Sequence, residues 1–349
     1  MFNLKRSIIL VGLVMVVSLI LAVCNPTATS VPPIQQATEL TLSEQHVATL
    51  TSLEKVDDFP LYTMHYYGSS ETGSFFSDGS QASASAKLLP AWGCSLFAAM
   101  GDADKFYGRN FDWEASPALL LFNHPTDGYD SISMVDMAYL GIDADINKLT
   151  ELPLDQRKAL LDAPVLPFDG MNERGLAVGM AAVPSGDMKP DPNKETIDSL
   201  MVIRKMLDHA SNVDEAVAIL ERYNIDWGSG PPLHYLIADR LGRAVLVEFY
   251  QGKLQFIPND KPWHFATNFL LSAVNGSAAG QCARYDKLDQ QLSIAKGSID
   301  AADAMSLLKD VSQANTQWSI VYGFSTGNVT VTLERQYGRT HTFHIDLME

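Results

Sequence analysis

Cys94 stands between a glycine and a serine at the head of an apolar run. Arg109 and Asp112 lie on a second, aromatic-rich run from Phe106 to Trp113. These three side chains supply a nucleophile, a cation and a carboxylate. Between the runs, Gly101-Asp102-Ala103-Asp104-Lys105 is a polar turn, so two antiparallel strands of one hairpin would bring the three together. A thiol titrates near ~8.5 and an α-amino group near ~7.7–8.0, so a cysteine at an amino terminus carries nucleophile and neutral base on one residue. That chemistry needs no histidine. Arg109 beside the sulfur would favour thiolate, and Asp112 would hold the amine by accepting its hydrogen bonds. The plain alternative is that Cys94 is a buried free thiol, since cysteine is among the most buried residue types.

For Cys94 to become an amino terminus, the chain before it must be cut. From Gly68 to Ala86, Ser, Gly and Ala dominate without hydrophobic periodicity, and a long exposed loop there would leave the Gly93-Cys94 bond open to cleavage.

A small residue before a cysteine, followed by Gly108-Arg109-Asn110-Phe111-Asp112-Trp113, resembles the choloylglycine hydrolase family and its penicillin V acylase relatives. The resemblance continues through Asn172-Glu173-Arg174-Gly175-Leu176, Thr267-Asn268 and Ala283-Arg284-Tyr285, and so spans most of Cys94 to Glu349. It implies an N-terminal-nucleophile hydrolase of the α+β class, an αββα sandwich of two antiparallel sheets between helical layers. It also implies that Asn268 supplies an oxyanion-hole amide and that Arg284 sits beside the nucleophile. Where the family carries a second oxyanion-hole residue, usually asparagine or tyrosine, this chain has Ala182, so a backbone N–H must serve there or Asn268 acts more nearly alone.

The implied reaction is hydrolysis of a linear, non-peptide C–N amide joining an apolar acyl group to a polar amine, with no cofactor and no metal. Phenoxyacetyl penicillin, N-acyl homoserine lactones, fatty acyl amides and conjugated bile acids are all such substrates. An acyltransferase would use the same acyl-enzyme and hand the acyl group to an amine instead of water. A non-enzymatic ligand-binding lipoprotein is the alternative of another class. A papain-like protease would pair Cys94 with a histidine such as His234 or His264, but the residues around Cys94 lack that signature.

The 349 residues carry 46% hydrophobic side chains and a formal charge of −16, which suits a globular domain and repels phosphate backbones. Nucleic acid is therefore not an expected partner. Lys5 and Arg6 precede an apolar run from Ser7 to Val23, the layout of an export signal. Leu21-Ala22-Val23-Cys24 looks like a bacterial lipobox, with ordinary cleavage nearby or an uncleaved anchor as alternatives. The expected division is a signal over 1–24, a Pro/Ser/Thr tether and propeptide over 25–93, and a catalytic domain over 94–349. Export as a cell-envelope lipoprotein or a secreted protein follows, with membrane contact only through the signal or lipid anchor. Self-association into a homo-oligomer stays open.

Cys94 and Cys282 are expected as free thiols, because a disulfide between them would block the nucleophile. Asp143-Ala-Asp145-Ile-Asn147 imitates a calcium loop, but Lys148 and Leu154 stand where such a loop needs glycine and glutamate. Along the chain the pattern predicts strands at Ala118–Phe122, Ser131–Gly141 and in two pieces over Val165–Val183. Helices are predicted over Glu195–His209 and Val213–Tyr223, then strands over His234–Ile257. Two more helices over Ala283–Gln313 and three closing strands complete the order, which favours segregated layers over a parallel βαβ sheet.

Overall fold

The computed structural model describes residues 42–69, 93–101, 104–142, 148–228 and 230–348. The expected signal, the lipobox, the loop before Gly93 and the calcium-loop imitation lie outside the described residues.

Ser43 opens α1 (Glu44–Thr51) by accepting from the His46 N–H, and β1 (Glu54–Asp57) and β2 (Leu61–Tyr67) follow. β3 (Gly93–Ala99) and β4 (Phe106–Asp112) form the hairpin read from the sequence, with Cys94 opposite Phe111 and Leu96 opposite Arg109. Next come β5 (Ala118–His124), β6 (Ser131–Asp136), β7 (Asp169–Asn172), β8 (Leu176–Ala182) and β9 (Glu195–Asp198). α2 (Met201–His209), α3 (Val213–Leu220) and β10 (Tyr223–Asp226) lead to β11 (Leu233–Asp239), β12 (Ala244–Tyr250), β13 (Lys253–Pro258) and β14 (Trp263–Ala266). α4 (Ala283–Ala295) and α5 (Ala301–Asp310) precede β15 (Thr316–Gly323), β16 (Asn328–Leu333) and β17 (His341–His344).

Among the described residues, nine strands form one sheet in the order β1-β2-β5-β6-β7-β8-β11-β12-β13, and six form a second in the order β14-β3-β4-β15-β16-β17. The helices α2 and α3 pack on the larger sheet, and α4 and α5 on the smaller. The sheets face each other across a core that includes Leu96, Tyr107, Val178 and Leu236, while Phe97, Phe106, Leu288, Leu292 and Leu308 join the smaller sheet to its helices. This is the αββα sandwich. The sheets approach closely at Gly179, where a Cβ would lie 2.7 Å from the Tyr107 hydroxyl and 2.9 Å from Leu96 Cδ2. Only glycine leaves room for that contact.

The structure departs from the sequence reading in four places. One strand pair of the larger sheet, β2 with β5, is parallel. The strand expected to run to Gly141 stops at Asp136, whose carboxylate accepts from the Ala138 N–H and starts a 3-10 turn that Gly141 closes at φ 72°. The helix expected from Glu195 begins at Met201. Glu195–Asp198 instead pairs in parallel with Tyr223–Asp226, and the Asp198 carboxylate then accepts from Leu200 N–H at 2.7 Å to turn the chain. The β-branched Thr196 and Ile197 favour that strand. Finally, β14 was not expected, yet it pairs with β3 and delivers Thr267-Asn268 to Cys94.

The described part of residues 25–93 is built into the fold. β2 lies between β1 and β5 with Leu61, Tyr62, Met64 and Tyr66 buried, so a cut before Cys94 would break the chain without removing a layer.

Candidate active site

Strand register sets the site. β3 and β4 start and end at the same edge of the sandwich, which puts Cys94 and Asp112 side by side and Arg109 further in, all within 2% of full burial. β14 runs antiparallel to β3 and ends there too, so Asn268 follows directly onto Cys94. Arg284 enters from the first turn of α4. The structure thus gathers Cys94, Arg109, Asp112, Asn268, Arg284 and Ala182 around one atom group.

The Cys94 N–H donates to Asn268 Oδ1 at 2.6 Å. Asn268 Nδ2 donates to the Ala182 carbonyl at 2.7 Å, which leaves its second N–H uncommitted in that bond. Ala182 therefore meets the site through its carbonyl, where the sequence reading expected its N–H. Arg284 donates through Nη1 to the Cys94 carbonyl and to Ser95 Oγ at 3.0 Å, and through Nη2 to Asn268 Oδ1 at 2.8 Å. It braces the Cys94 backbone and the Asn268 amide, beside residue 94 as the resemblance implied.

Arg109 Nη2 lies 3.9 Å from Cys94 Sγ. Burial pushes the Cys94 thiol up from its ordinary value, and the Arg109 charge pulls it down without overcoming that. The expected thiolate bias is thus outweighed by desolvation, and the sulfur needs a base. The Asp112 carboxylate accepts from Thr316 Oγ1 at 2.5 Å and Gln313 Nε2 at 2.7 Å, with Arg284 Nη1 at 4.0 Å. Burial raises Asp112 above the usual carboxylate value despite these partners.

Asp169 escaped the sequence reading. At the start of β7, fully buried, it pairs with Arg109 Nη1 and accepts from Tyr322 Oη at 2.5 Å and Trp318 Nε1 at 3.2 Å. Arg109 Nη1 also donates to the Phe168 carbonyl at 2.8 Å, and its guanidinium lies 4.9 Å from the Phe111 ring centroid. An ionisable residue directly after the apolar Phe168, at the head of a strand, was the available signal. Gln313, from the α5–β15 connection, and Thr316, which opens β15, were missed as well, because they lie far away in sequence.

The two histidines weighed as partners for Cys94 are engaged elsewhere. His234 Nδ1 lies 3.4 Å from the Glu248 carboxylate, and His264 bonds the Ile257 carbonyl at 2.8 Å and the Phe265 N–H at 3.0 Å. Glu248 in turn accepts from Leu271 and Ser272 N–H, both at 2.8 Å, and so fixes the turn that follows Asn268. Cys282 is a free thiol at the N-cap of α4, half-buried rather than packed inside. Among the described residues, no group of three or more His, Cys, Asp or Glu side chains could hold a metal ion.

Residues 167–335 match the family model described as acyl-coenzyme A:6-aminopenicillanic acid acyl-transferase, a segment that includes Asp169, Ala182, Asn268, Arg284, Gln313 and Thr316. A mutant of conjugated bile acid hydrolase from Clostridium perfringens has a similar structure, with a TM-score of 0.51 and 17% identity over 72% of this chain and 92% of that one. Penicillin V acylase from Agrobacterium tumefaciens aligns with a TM-score of 0.47 and 14% identity over 69% of this chain and 82% of its own. The chain shares the fold of the first of these, and residues 167–335, which carry the second half of the site, are similar to that acyl-transferase family model.

Proposed function

We propose that the protein is an exported amidohydrolase that cuts a linear, non-peptide C–N bond through Cys94, after cleaving its own chain between Gly93 and Cys94. One observation carries the reading. The thiol of Cys94 and the nitrogen that would become its amine are held by one polar cluster, Sγ 3.9 Å from Arg109 Nη2 and N 2.6 Å from Asn268 Oδ1.

Self-cleavage comes first. The sulfur attacks the Gly93 carbonyl carbon, the acyl group passes from nitrogen to sulfur, and the thiol proton ends on nitrogen. Water then hydrolyses the thioester, leaving Gly93 as a carboxylic acid and Cys94 with a free thiol and amine. In turnover the amine takes the thiol proton as Sγ adds to the substrate carbonyl, and it gives that proton to the leaving amine. Water repeats the sequence to release the acyl group as an acid. The uncommitted N–H of Asn268 donates to the oxyanion, Arg284 holds Asn268 and the Cys94 backbone, and Asp112 orients the amine.

Removing one oxyanion donor typically costs ~10²–10³ in kcat, so Asn268→Ala is expected to fall in that range with KM little changed. Steady-state kinetics on a cut, folded sample checks it, and an unchanged kcat would remove Asn268 from the mechanism. Alanine at any one of His46, His65, His124, His209, His234, His264, His341 or His344 is expected to leave kcat of the folded variant within about threefold, because the base is the amine of Cys94 itself. A histidine variant that stays folded and cut but loses turnover would overturn the single-residue mechanism.

The family model's description favours a second reading in which an amine, not water, receives the acyl group. A panel of N-acyl amides, assayed with and without an added amine acceptor, separates the two by product. Intact mass of the mature protein tests the export and cleavage part, since an enzyme of this kind begins one subunit at Cys94 and a ligand-binding lipoprotein does not.

A further inference from the structure

Gly93 is buried in β3, and the space beside its Cα is already occupied. A Cβ built there would lie 1.8 Å from Gln313 Nε2, 3.0 Å from Gln313 Cδ and 3.1 Å from Asp112 Oδ2. The first distance is far inside van der Waals contact, so a side chain at residue 93 and this position of Gln313 exclude each other. Gln313 is not loose. Its Nε2 donates to Asp112 Oδ2 at 2.7 Å, and its backbone N–H donates to Thr316 Oγ1 at 2.8 Å. Thr316 Oγ1 donates to the other oxygen of the same carboxylate at 2.5 Å. Gln313 and Thr316 therefore clamp Asp112 from both oxygens, and the clamp closes over the Cα of the residue whose peptide bond is to be broken.

We propose that Gln313 is a positioning residue for self-cleavage. It holds the Asp112 carboxylate beside the scissile peptide and, by filling the space beside residue 93, makes glycine a requirement immediately before the nucleophile. This rests on the self-cleavage reading above, in which the Gly93 acyl carbon moves from the Cys94 nitrogen to its sulfur and is then released by water. The amide of Gln313 takes no proton and forms no bond in that sequence. A larger residue at 93 must push Gln313 away, which unclamps Asp112 and shifts the carbonyl from the line of attack. Misplacement of that kind typically costs about 10²-fold in rate.

The test is a double-variant cycle on the full chain, comparing wild type, Gly93→Ala, Gln313→Ala and the double variant. The fraction cut is followed with time by denaturing gel and intact mass. Gly93→Ala is expected to cut at least about tenfold more slowly than wild type. Gln313→Ala is expected to cut more slowly than wild type, and the double variant to match Gln313→Ala, because the collision is gone. A Gly93→Ala chain that cuts at the wild-type rate overturns the proposal, as does a double variant that stays as slow as Gly93→Ala. Thermal melting of the uncut Cys94→Ala background, carrying the same three changes, reads the collision independently. Gly93→Ala is expected to lower Tm by about 3 °C or more there, and addition of Gln313→Ala to remove that loss. If the wild-type chain is never cut at this bond, the self-cleavage reading fails. The melting cycle then decides the contact alone, and absence of coupling in it would remove the Gly93–Gln313 exclusion too.

Discussion

Cys94→Ala is expected to leave the chain uncut before residue 94 and to lower turnover at least about 10⁴-fold, the scale seen when a nucleophile is removed from a site whose binding groups remain. The loss is double because in the proposed mechanism one residue supplies both parts, and neither the sulfur nor the new amine would exist in the variant. Cys94→Ser separates them. It keeps an atom that can attack, yet a hydroxyl is far less acidic than a thiol, so slow or absent cleavage and a large loss of turnover are expected.

The electrostatics of the site sharpen this expectation. Burial raises the Cys94 thiol, and Arg109 at 3.9 Å offsets only part of that, so at neutral pH the sulfur of the intact chain is protonated. The thiolate fraction then grows with pH up to and beyond the ordinary thiol range of about 8.5, and the self-cleavage rate should climb with it. A rate already flat through the neutral range would mean a preformed thiolate and a different role for Arg109. In the proposed mechanism the cut leaves a new amine beside the sulfur as its base, which would relieve the need for high pH. Measuring cleavage and turnover against pH on the same preparation therefore gives two profiles, the first displaced to higher pH than the second.

What the sequence made legible follows from range. The hairpin of β3 and β4 is local, its two runs and polar turn are contiguous, and so Cys94, Arg109 and Asp112 could be placed together from periodicity alone. Asn268 and Arg284 came from resemblance, since nothing local says that a residue after Ala266 returns to residue 94. The strand that makes this so, Trp263–Ala266, is short, and its half-buried Trp263 and His264 break the alternation that marks a strand. The helix expected over Glu195–His209 shows the opposite failure. Its apolar spacing is helical, but Tyr223–Asp226 offers a partner strand for Glu195–Asp198, and the tertiary pairing prevails over local propensity. The resemblance placed Arg284 beside Cys94, and the coordinates show that it meets the carbonyl of that residue.

Asp169→Ala is the variant expected to damage the fold most. Arg109 is fully buried, and its counter-charge is the equally buried carboxylate of Asp169. Removing the carboxylate strands a guanidinium in a dry site and also leaves Tyr322 Oη and Trp318 Nε1 without their acceptor. Breaking a buried pair from one side typically costs about 3–5 kcal/mol, which in a domain of this size lowers Tm by roughly 6–15 °C. Water cannot follow the charge in easily, because Phe111, Phe168 and Trp318 pack around it. Replacing both partners by apolar residues, Arg109→Met with Asp169→Leu, removes the stranded charge and should recover most of that Tm. Turnover should not return with it, since the cation beside Cys94 Sγ is gone. Recovery of stability without activity would assign Asp169 to holding Arg109 and Arg109 to the sulfur. If Asp169→Ala melts at the wild-type temperature, the pair does not hold the two sheets together, and the site rests on its hydrogen bonds to Asn268 and Arg284 alone.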